Sequence, residues 1–427
     1  MNLKRFLIFL AATGMIGLFA CDDPLKVENP NSLVEDDLGD PVIASGLANG
    51  SLATVSNAIG ELLAVYTTVG DEITWIGSRD GWGQLDDGNV SDANNEFTDD
   101  AWQWVTEARW TADKAVESLE AFDAEGDLPD RADLGRSYLY AGLIRVVIAD
   151  MFDNFVLSDR REPAPPVGED QMGGLYDEAI ALLDKSLAVA QAETNDELQA
   201  RALAVRARAK HGRAVWSLLN PKGAAPANPY VDAGADDAQT VLGLVGDDWR
   251  WQLNYAVTWG EGANDFSFQV NGRLELAFQT PLPNDLIDGA EDVRIAAAVA
   301  EFTDEAANGG TDFAPHTAVS AREMHLIVAE AQLARSDEDG AKTTLNALRG
   351  LDNLTLLDGQ VSAGELLQHE RRANLYIQGR RLADMYRFGV LAPEWEASSE
   401  AYNTPGAFLP IVRREIEANP FVGFGSN

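Results

Sequence analysis

The chain has 427 residues, with 32 Lys and Arg against 69 Asp and Glu, a formal charge of −37. A surface this acidic repels nucleic acid and anionic headgroups and excludes both as partners. Hydrophobic residues make up 46% and ten are tryptophan, enough for a core, while a single cysteine removes disulfides, zinc–thiolate sites and iron–sulfur ligation.

Residues 1–20 read as a lipoprotein signal peptide. Lys4 and Arg5 form a basic n-region, an apolar run follows over 6–18, and Ala20 directly precedes Cys21. The run is too short for a transmembrane helix and is followed by Asp22 and Asp23, where an anchor would want Lys or Arg. Cys21 is therefore expected to carry diacylglyceryl, with further acyl chains such as palmitate making membrane attachment firm. Residues 21–40 then form a polar tether, and 41–427 a single helical body with 221–315 as a loop-rich insertion.

The stretch 43–68 is small and apolar and reads as a helix. Gly46, Gly50 and Gly60 weaken it in isolation, so close packing is expected to support it. Residues 70–98 read as loop, holding Trp75 and the run Arg79-Asp80-Gly81-Trp82. Flat rings among polar groups suit stacking on sugars, which makes Trp75, Trp82, Arg79 and Asp80 the candidate ligand contacts. The plainer alternative is that each tryptophan folds back and pins the loop.

Helical period then dominates. Trp104, Ala108, Ala112, Ala115 and Leu119 recur at steps of three or four; so do Leu134, Tyr138, Ala141, Ile144 and Ile148. Tyr176, Ile180, Leu183, Leu187 and Ala190 repeat the pattern, followed by Leu198, Ala202, Val205, Ala209, Gly212, Trp216 and Leu219. Four such helices with short links predict a mainly α, tetratricopeptide-like hairpin scaffold, although no clean repeat of about 34 residues is present.

Across 221–315 the period fades into Pro, Gly, Asn and Asp, with a few strands or short helices expected. Trp251, Tyr255 and Trp259, spaced by four, suggest one packed helix face. Helices return at 317–335, 338–349 and 362–388, with residues 337–340 as a turn.

None of the four histidines, His211, His316, His325 and His369, pairs at the i, i+4 spacing of a metal site, and each reads as a core or surface residue. There is no Gly-x-Ser-x-Gly, no phosphate loop, no dinucleotide fingerprint and no calcium loop. With 69 acidic residues, chance carboxylate pairs are expected, so no glycosidase pair can be read. No cofactor, metal or catalytic residue is assigned. Arg371, Arg372, Arg380, Arg381 and Arg387, clustered in so acidic a chain, read as carboxylate locks between helix hairpins.

Several segments, in order, resemble the SusD/RagB family of outer-membrane nutrient-binding lipoproteins. After Cys21 comes Asn29-Pro30; Trp104 to Leu119 resembles the family's early helix, with Asp113 in place of its asparagine. Tyr138 and Tyr140 ahead of Met151-Phe152-Asp153-Asn154 resemble the helix entering the family's aromatic-glycine turn, the glycine being lost. Arg322 with Ala329-Glu330-Ala331 is similar to its Arg…Ala-Glu-Ala helix, and Asn346-Ala347-Leu348-Arg349 to Asn-x-Ile-Arg. Glu370-Arg371-Arg372 through Gly379-Arg380-Arg381-Leu382-Ala383-Asp384 resembles Glu-Arg-Arg…Glu-Gly-x-Arg-x-x-Asp-Leu, with Gln378 for the glutamate. Leu409-Pro410-Ile411, Glu415-Ile416 and Asn419-Pro420 resemble the closing run, with Val412 for the second proline.

The resemblance implies a non-catalytic lipoprotein facing the exterior of the outer membrane. It would act as a lid on a SusC-like TonB-dependent transporter and capture a glycan, oligosaccharide or peptide. It also implies scaffold roles for Glu330, Arg349, Glu370, Arg371, Arg372, Arg380 and Asp384, while ligand residues vary and none is carried over. An acidic residue after the lipidated cysteine is compatible with surface export in lineages that hold this family. Two other classes stay open: a helical scaffold lipoprotein that assembles envelope proteins, and a surface glycoside hydrolase, which requires two carboxyls across a cleft, one with a raised pKa.

Overall fold

A computed structural model describes residues 39–159, 162–256, 262–286 and 289–423, so the signal peptide, Cys21, most of the tether and Trp259 lie outside the described residues. The first long helix, α1 (Ala44–Val69), is buried nearly all round from Val55 onward. By length and composition Pro41–Val69 could span a membrane, yet most of it is enclosed by neighbouring helices.

The short helix α2 (Asp80–Asp86) precedes four long ones: α3 (Glu96–Glu125), α4 (Arg131–Met151), α5 (Gly173–Ala192) and α6 (Asp196–Leu219). Short polar side chains open three of them by accepting from first-turn N–H groups that have no partner inside the helix. Asn95 caps α3 at 3.0 Å from the Phe97 N–H, Asp130 caps α4 at 2.8 Å from Ala132, and Asn195 caps α6 at 3.0 Å from Leu198. Helix α1 packs on α3, α3 on α4, α4 on α5 and α5 on α6, so each apolar stripe is buried by its neighbour's.

In the loop-rich segment, α7 (Ala235–Leu244) fills the space between α6 and a later helix, and α8 (Val293–Thr303) packs through Ile295 on Ala373 and Tyr376. The scaffold resumes with α9 (Ala321–Ala334), α10 (Glu338–Leu351) and α11 (Ala363–Asn374), which pack on one another, then α12 (Arg381–Phe388) and α13 (Arg413–Ala418). Ser320 caps α9, Asp337 caps α10, and Ser362 with Glu365 forms a capping box on α11. Leu409 exchanges backbone hydrogen bonds with the end of α4, its N–H donating to Met151 at 3.0 Å and its carbonyl accepting from Asp153 at 2.8 Å.

Three expectations need correction. The span 362–388 is two helices, because Ile377 and Gly379 take positive φ of 54° and 70° and turn the chain. Gly379 is required there: a Cβ would lie 2.5 Å from Met151 Cε and 2.8 Å from Leu63 Cδ2. Trp251 lies on a strand, not a helix face: β2 (Arg250–Leu253) pairs antiparallel with β4 (His316–Ser320). It is nonetheless buried, as is Tyr255. Finally, residues 70–98 are not simply loop. They hold α2 and a strand, β1 (Ile73–Trp75), paired antiparallel with β3 (Leu276–Phe278).

The α1 glycines divide by environment. A Cβ on Gly60 would stand 2.9 Å from Asn264 Oδ1 and 3.2 Å from its Cα, whereas Gly46 and Gly50 have nothing within 4 Å. Asn264 cannot retreat, since its N–H donates to Asp312 and its Nδ2 to Ala314, both at 2.7 Å. Gly60→Ala is therefore expected to destabilise by about 1–3 kcal/mol through overpacking, less up to about 1 kcal/mol of helix propensity. Gly46→Ala and Gly50→Ala should instead stabilise by a fraction of about 1 kcal/mol. Urea midpoints of the three variants check the difference in sign.

Candidate functional site

The four side chains singled out around residue 80 do not converge on an open surface. Trp82 is 1% exposed and stacks on Phe97 with ring centroids 3.8 Å apart, so it belongs to the core. The half-buried Trp75 ring packs against Gly83. Arg79 is held by Glu96, with Nε at 3.2 Å and Nη2 at 2.5 Å, and lies 4.8 Å over the Phe97 ring. Asp80 is exposed at the first position of α2. The Asp/Gly-rich composition hid a short amphipathic helix whose apolar positions, Trp82 and Leu85, point inward. Burial of the Trp82 ring corrects the reading of it as a ligand platform.

The arginine-rich segment forms buried ion pairs. Glu330 is fully buried and accepts from Arg387 Nη2 at 3.0 Å, from the Val231 N–H at 3.1 Å, and pairs with His211 Nε2 at 3.0 Å. Arg371 Nε and Arg387 Nε donate to Asp384 at 2.8 and 2.9 Å. Arg380 pairs with Asp150; Arg381 and Arg372 reach Asp71 at 2.7 and 3.1 Å. Arg349, also fully buried, donates to Glu370 at 2.9 Å and to both oxygens of Asp285 at 3.1 Å. These pairs tie α4, α6, α9, α10, α11 and α12 to one another.

Among the described residues one trio of metal-type ligands converges, Asp285, Asp292 and His369. Arg294 donates to Asp292 at 2.7 Å and Arg349 to Asp285 at 3.1 Å, so two guanidinium groups already neutralise the carboxylates. Asp292 ionises far below the usual carboxylate range: the Arg294 and His369 hydrogen bonds overcome the opposing effect of burial, which is the largest single influence. The arrangement is an ion-pair cluster and does not fit a resident cation.

The candidate site lies elsewhere, in a cleft of about 400 Å³ between the β2–β4 ribbon, α8 and the end of α11. Four aromatic side chains line it, Trp249, Phe266, Phe302 and Tyr376, the two phenylalanine rings being 4.8 Å apart. Gln252, Asn264, Asn374 and Gln378 belong to the same lining, the amides of Asn264 and Asn374 being bonded to Ala314, Ser267, Arg322 and Glu370. Its arginines are matched: Arg250 grips Glu301 at 2.7 and 2.8 Å, and Arg322 grips Asp352 at 2.6 and 2.9 Å. The Tyr376 hydroxyl donates to the Glu72 carbonyl at 2.9 Å, which holds this ring in the wall. Such a mixture of apolar faces and a few fixed polar groups is the usual make-up of a small-molecule site.

Reading the sequence missed this set. Trp251 and Tyr255 drew attention to the region but as core residues, and His316 was one of four unremarkable histidines. Arg322 figured only in the family-like helix. The one local signal was the density of aromatic residues after Trp249 in an otherwise polar segment.

No protein-family model matches the sequence, and no curated protein matches it. Solved structures do. A SusD homolog from Bacteroides thetaiotaomicron superposes with a TM-score of 0.64 at 15% identity, covering 90% of this chain and 97% of that one. A SusD superfamily protein from Bacteroides fragilis gives 0.62 at 16% identity, covering 90% and 99%. A SusD-like carbohydrate binding protein from Bacteroides vulgatus gives 0.58 at 15% identity, covering 83% and 84%. The chain thus has the SusD-like fold, a mainly helical, tetratricopeptide-like scaffold.

Proposed function

We propose that this protein is a non-catalytic surface lipoprotein that captures a carbohydrate in the aromatic cleft. From there it would deliver the ligand to a SusC-like TonB-dependent transporter in the outer membrane. The observation that carries the reading is the cleft lining: aromatic rings beside side-chain amides and charge-balanced arginines. Sugar rings present apolar C–H faces and hydroxyl edges; the partly exposed Trp249 ring offers the stacking face, while the buried Phe266, Phe302 and Tyr376 rings form the apolar wall behind it. The carbohydrate-binding description of the Bacteroides vulgatus protein, whose fold this chain shares, supports it.

Binding without hydrolysis is favoured by the carboxyl groups. Glu301 is held below the usual carboxylate range by hydrogen bonds from Arg250, and Asp352 is gripped by both terminal nitrogens of Arg322. The carboxyls that burial pushes up most, Glu61 and Glu72 to about 8 and Asp86, Asp153 and Asp265 to about 6, are not among the residues that line the cleft, although Asp265 stands between the lining residues Asn264 and Phe266. A glycosidase acid needs a raised pKa at the scissile bond.

The test is calorimetric titration of oligosaccharides into the full chain, with Trp249→Ala beside it. Losing one stacking face should weaken binding about three- to tenfold. Binding that ignores Trp249 would move the site away from this cleft. The membrane part of the proposal is tested separately: Cys21→Ala should abolish acyl labelling, and gentle extraction should bring a TonB-dependent barrel along with the wild-type chain.

A further inference from the structure

Three arginines reach the cleft, and each is already engaged. Arg250 is doubly bonded to Glu301 and Arg322 to Asp352. Arg294 has Nε at 2.9 Å and Nη2 at 2.7 Å from Asp292, and a third bond to Glu370. Asp247 and Asp248 belong to the same lining. An anionic ligand entering here would meet no uncommitted cation among the described residues. Each guanidinium keeps N–H donors, but its charge is already balanced by a carboxylate, so an anion would gain a hydrogen bond without a net electrostatic attraction and would approach Asp247 and Asp248.

One lining side chain differs from the rest. His316 is only 9% exposed and lines the cleft, yet its ring nitrogens make no hydrogen bond to any described residue. Its position is fixed by the ribbon register, in which His316 stands opposite Leu253. Burial chiefly, with Arg208 on α6 and Arg380 before α12 adding positive charge, pushes its pKa down to about 3. Those arginines are themselves paired, Arg208 with Glu323 on α9 and Arg380 with Asp150 on α4. The ring is therefore neutral under ordinary conditions and offers one donor and one acceptor. A hydroxyl group has the same pair of capacities, whereas a carboxylate only accepts and an ammonium only donates.

Resting on the carbohydrate reading above, we infer that the cleft selects uncharged, hydroxyl-rich glycans over uronic-acid or other anionic ones, with His316 as the specificity-determining residue that engages a ligand hydroxyl. The matched arginines disfavour the anion, and the unpartnered imidazole rewards the hydroxyl. Removal of the imidazole loses a hydrogen bond in a desolvated setting.

The experiment uses the full chain in detergent. Neutral gluco-, manno-, galacto- and xylo-configured tetrasaccharides are titrated beside glucuronate and galacturonate oligosaccharides of the same length at fixed ionic strength. Binding is expected from the neutral panel only, with affinity flat between about pH 5 and 8 because the imidazole does not titrate there. His316→Phe should weaken the neutral ligand about tenfold, while His316→Gln, which keeps a donor and an acceptor, should stay within about threefold. Thermal midpoints of both variants should match the wild type, which a merely structural role for His316 would not permit. Anionic oligosaccharides binding as well as neutral ones, or His316→Phe leaving affinity unchanged, overturns the inference and leaves the carbohydrate reading standing. No binding by any member of either panel overturns both. If His316→Phe does not fold, the neutral-against-anionic comparison on the wild-type chain decides alone.

Discussion

Glu330→Gln is expected to lower the stability of the folded chain by about 3–5 kcal/mol, the range for breaking a buried ion pair by removing one partner. Glu330 has no exposed surface, and its two oxygens serve Arg387, His211 and the Val231 N–H, with Arg371 Nη1 at 3.5 Å. Glutamine keeps the volume but removes the charge and turns one acceptor into a donor aimed at guanidinium groups. Arg387 would keep Asp384, and Arg371 likewise, so one carboxylate would face two buried cations. The measurement is a denaturant midpoint at neutral pH with an unchanged slope.

The same residue carries a pH signature. Burial acts to raise the Glu330 pKa and is the largest influence, but Arg387 and His211 together outweigh it and hold the carboxyl well below 4.5. A group depressed in the folded state contributes its stabilisation above the unfolded pKa and loses it as pH falls toward the folded value. The wild-type chain should therefore lose stability as pH drops below about 4.5, with Glu330 a main contributor. The glutamine variant, already without that contribution, should show a shallower acid limb. An equally steep limb in both would assign acid sensitivity to other carboxylates, such as Asp384 and Glu323, which are also depressed.

Trp82→Ala is expected to cost about 3–5 kcal/mol, the range for deleting a buried large aromatic side chain and leaving a cavity. The ring is 1% exposed and stacked on Phe97, so the loss combines lost burial with a lost aromatic pair. Trp82→Phe should cost much less, about 1.5 kcal/mol or under, because Trp82 Nε1 is buried without a hydrogen-bond partner among the described residues and its removal forfeits none. Oligosaccharide affinity of whatever fraction remains folded should be unchanged in both. The opposite result, intact stability with lost affinity, would return the ligand site to the segment around Arg79 and Asp80.

The contrast between these residues shows where local pattern stops being informative. The stripes from Trp104 to Leu219 are legible because a helix's apolar face is set by residues three and four apart, and such a face must be covered. The arginine cluster of 371–387 is legible as ion pairing for a similar reason: five buried-prone cations in a chain of −37 charge have carboxylates as their only abundant partners. Which carboxylates those are is not legible. Arg381 meets Asp71, 310 positions away, and Arg380 meets Asp150, 230 positions away.

The candidate site falls on the far side of that boundary. Its walls come from Trp249 just before β2, Phe266 on the short helix Asp265–Ser267, Phe302 on α8, His316 on β4 and Tyr376 in the turn after α11, none with a motif of its own. Sequence alone determined the helical class, the order and extent of most scaffold helices, and the chemical type of contact that locks them, because those follow from short-range periodicity and overall charge balance. Tertiary structure decided that Trp82 points inward, that Gly60 and not its neighbours is a packing glycine, and that a neutral histidine faces a cleft of paired charges. Each of these depends on which distant segment comes to lie against the residue, and burial, desolvation and hydrogen-bond pairing acquire their values only once that neighbour is in place.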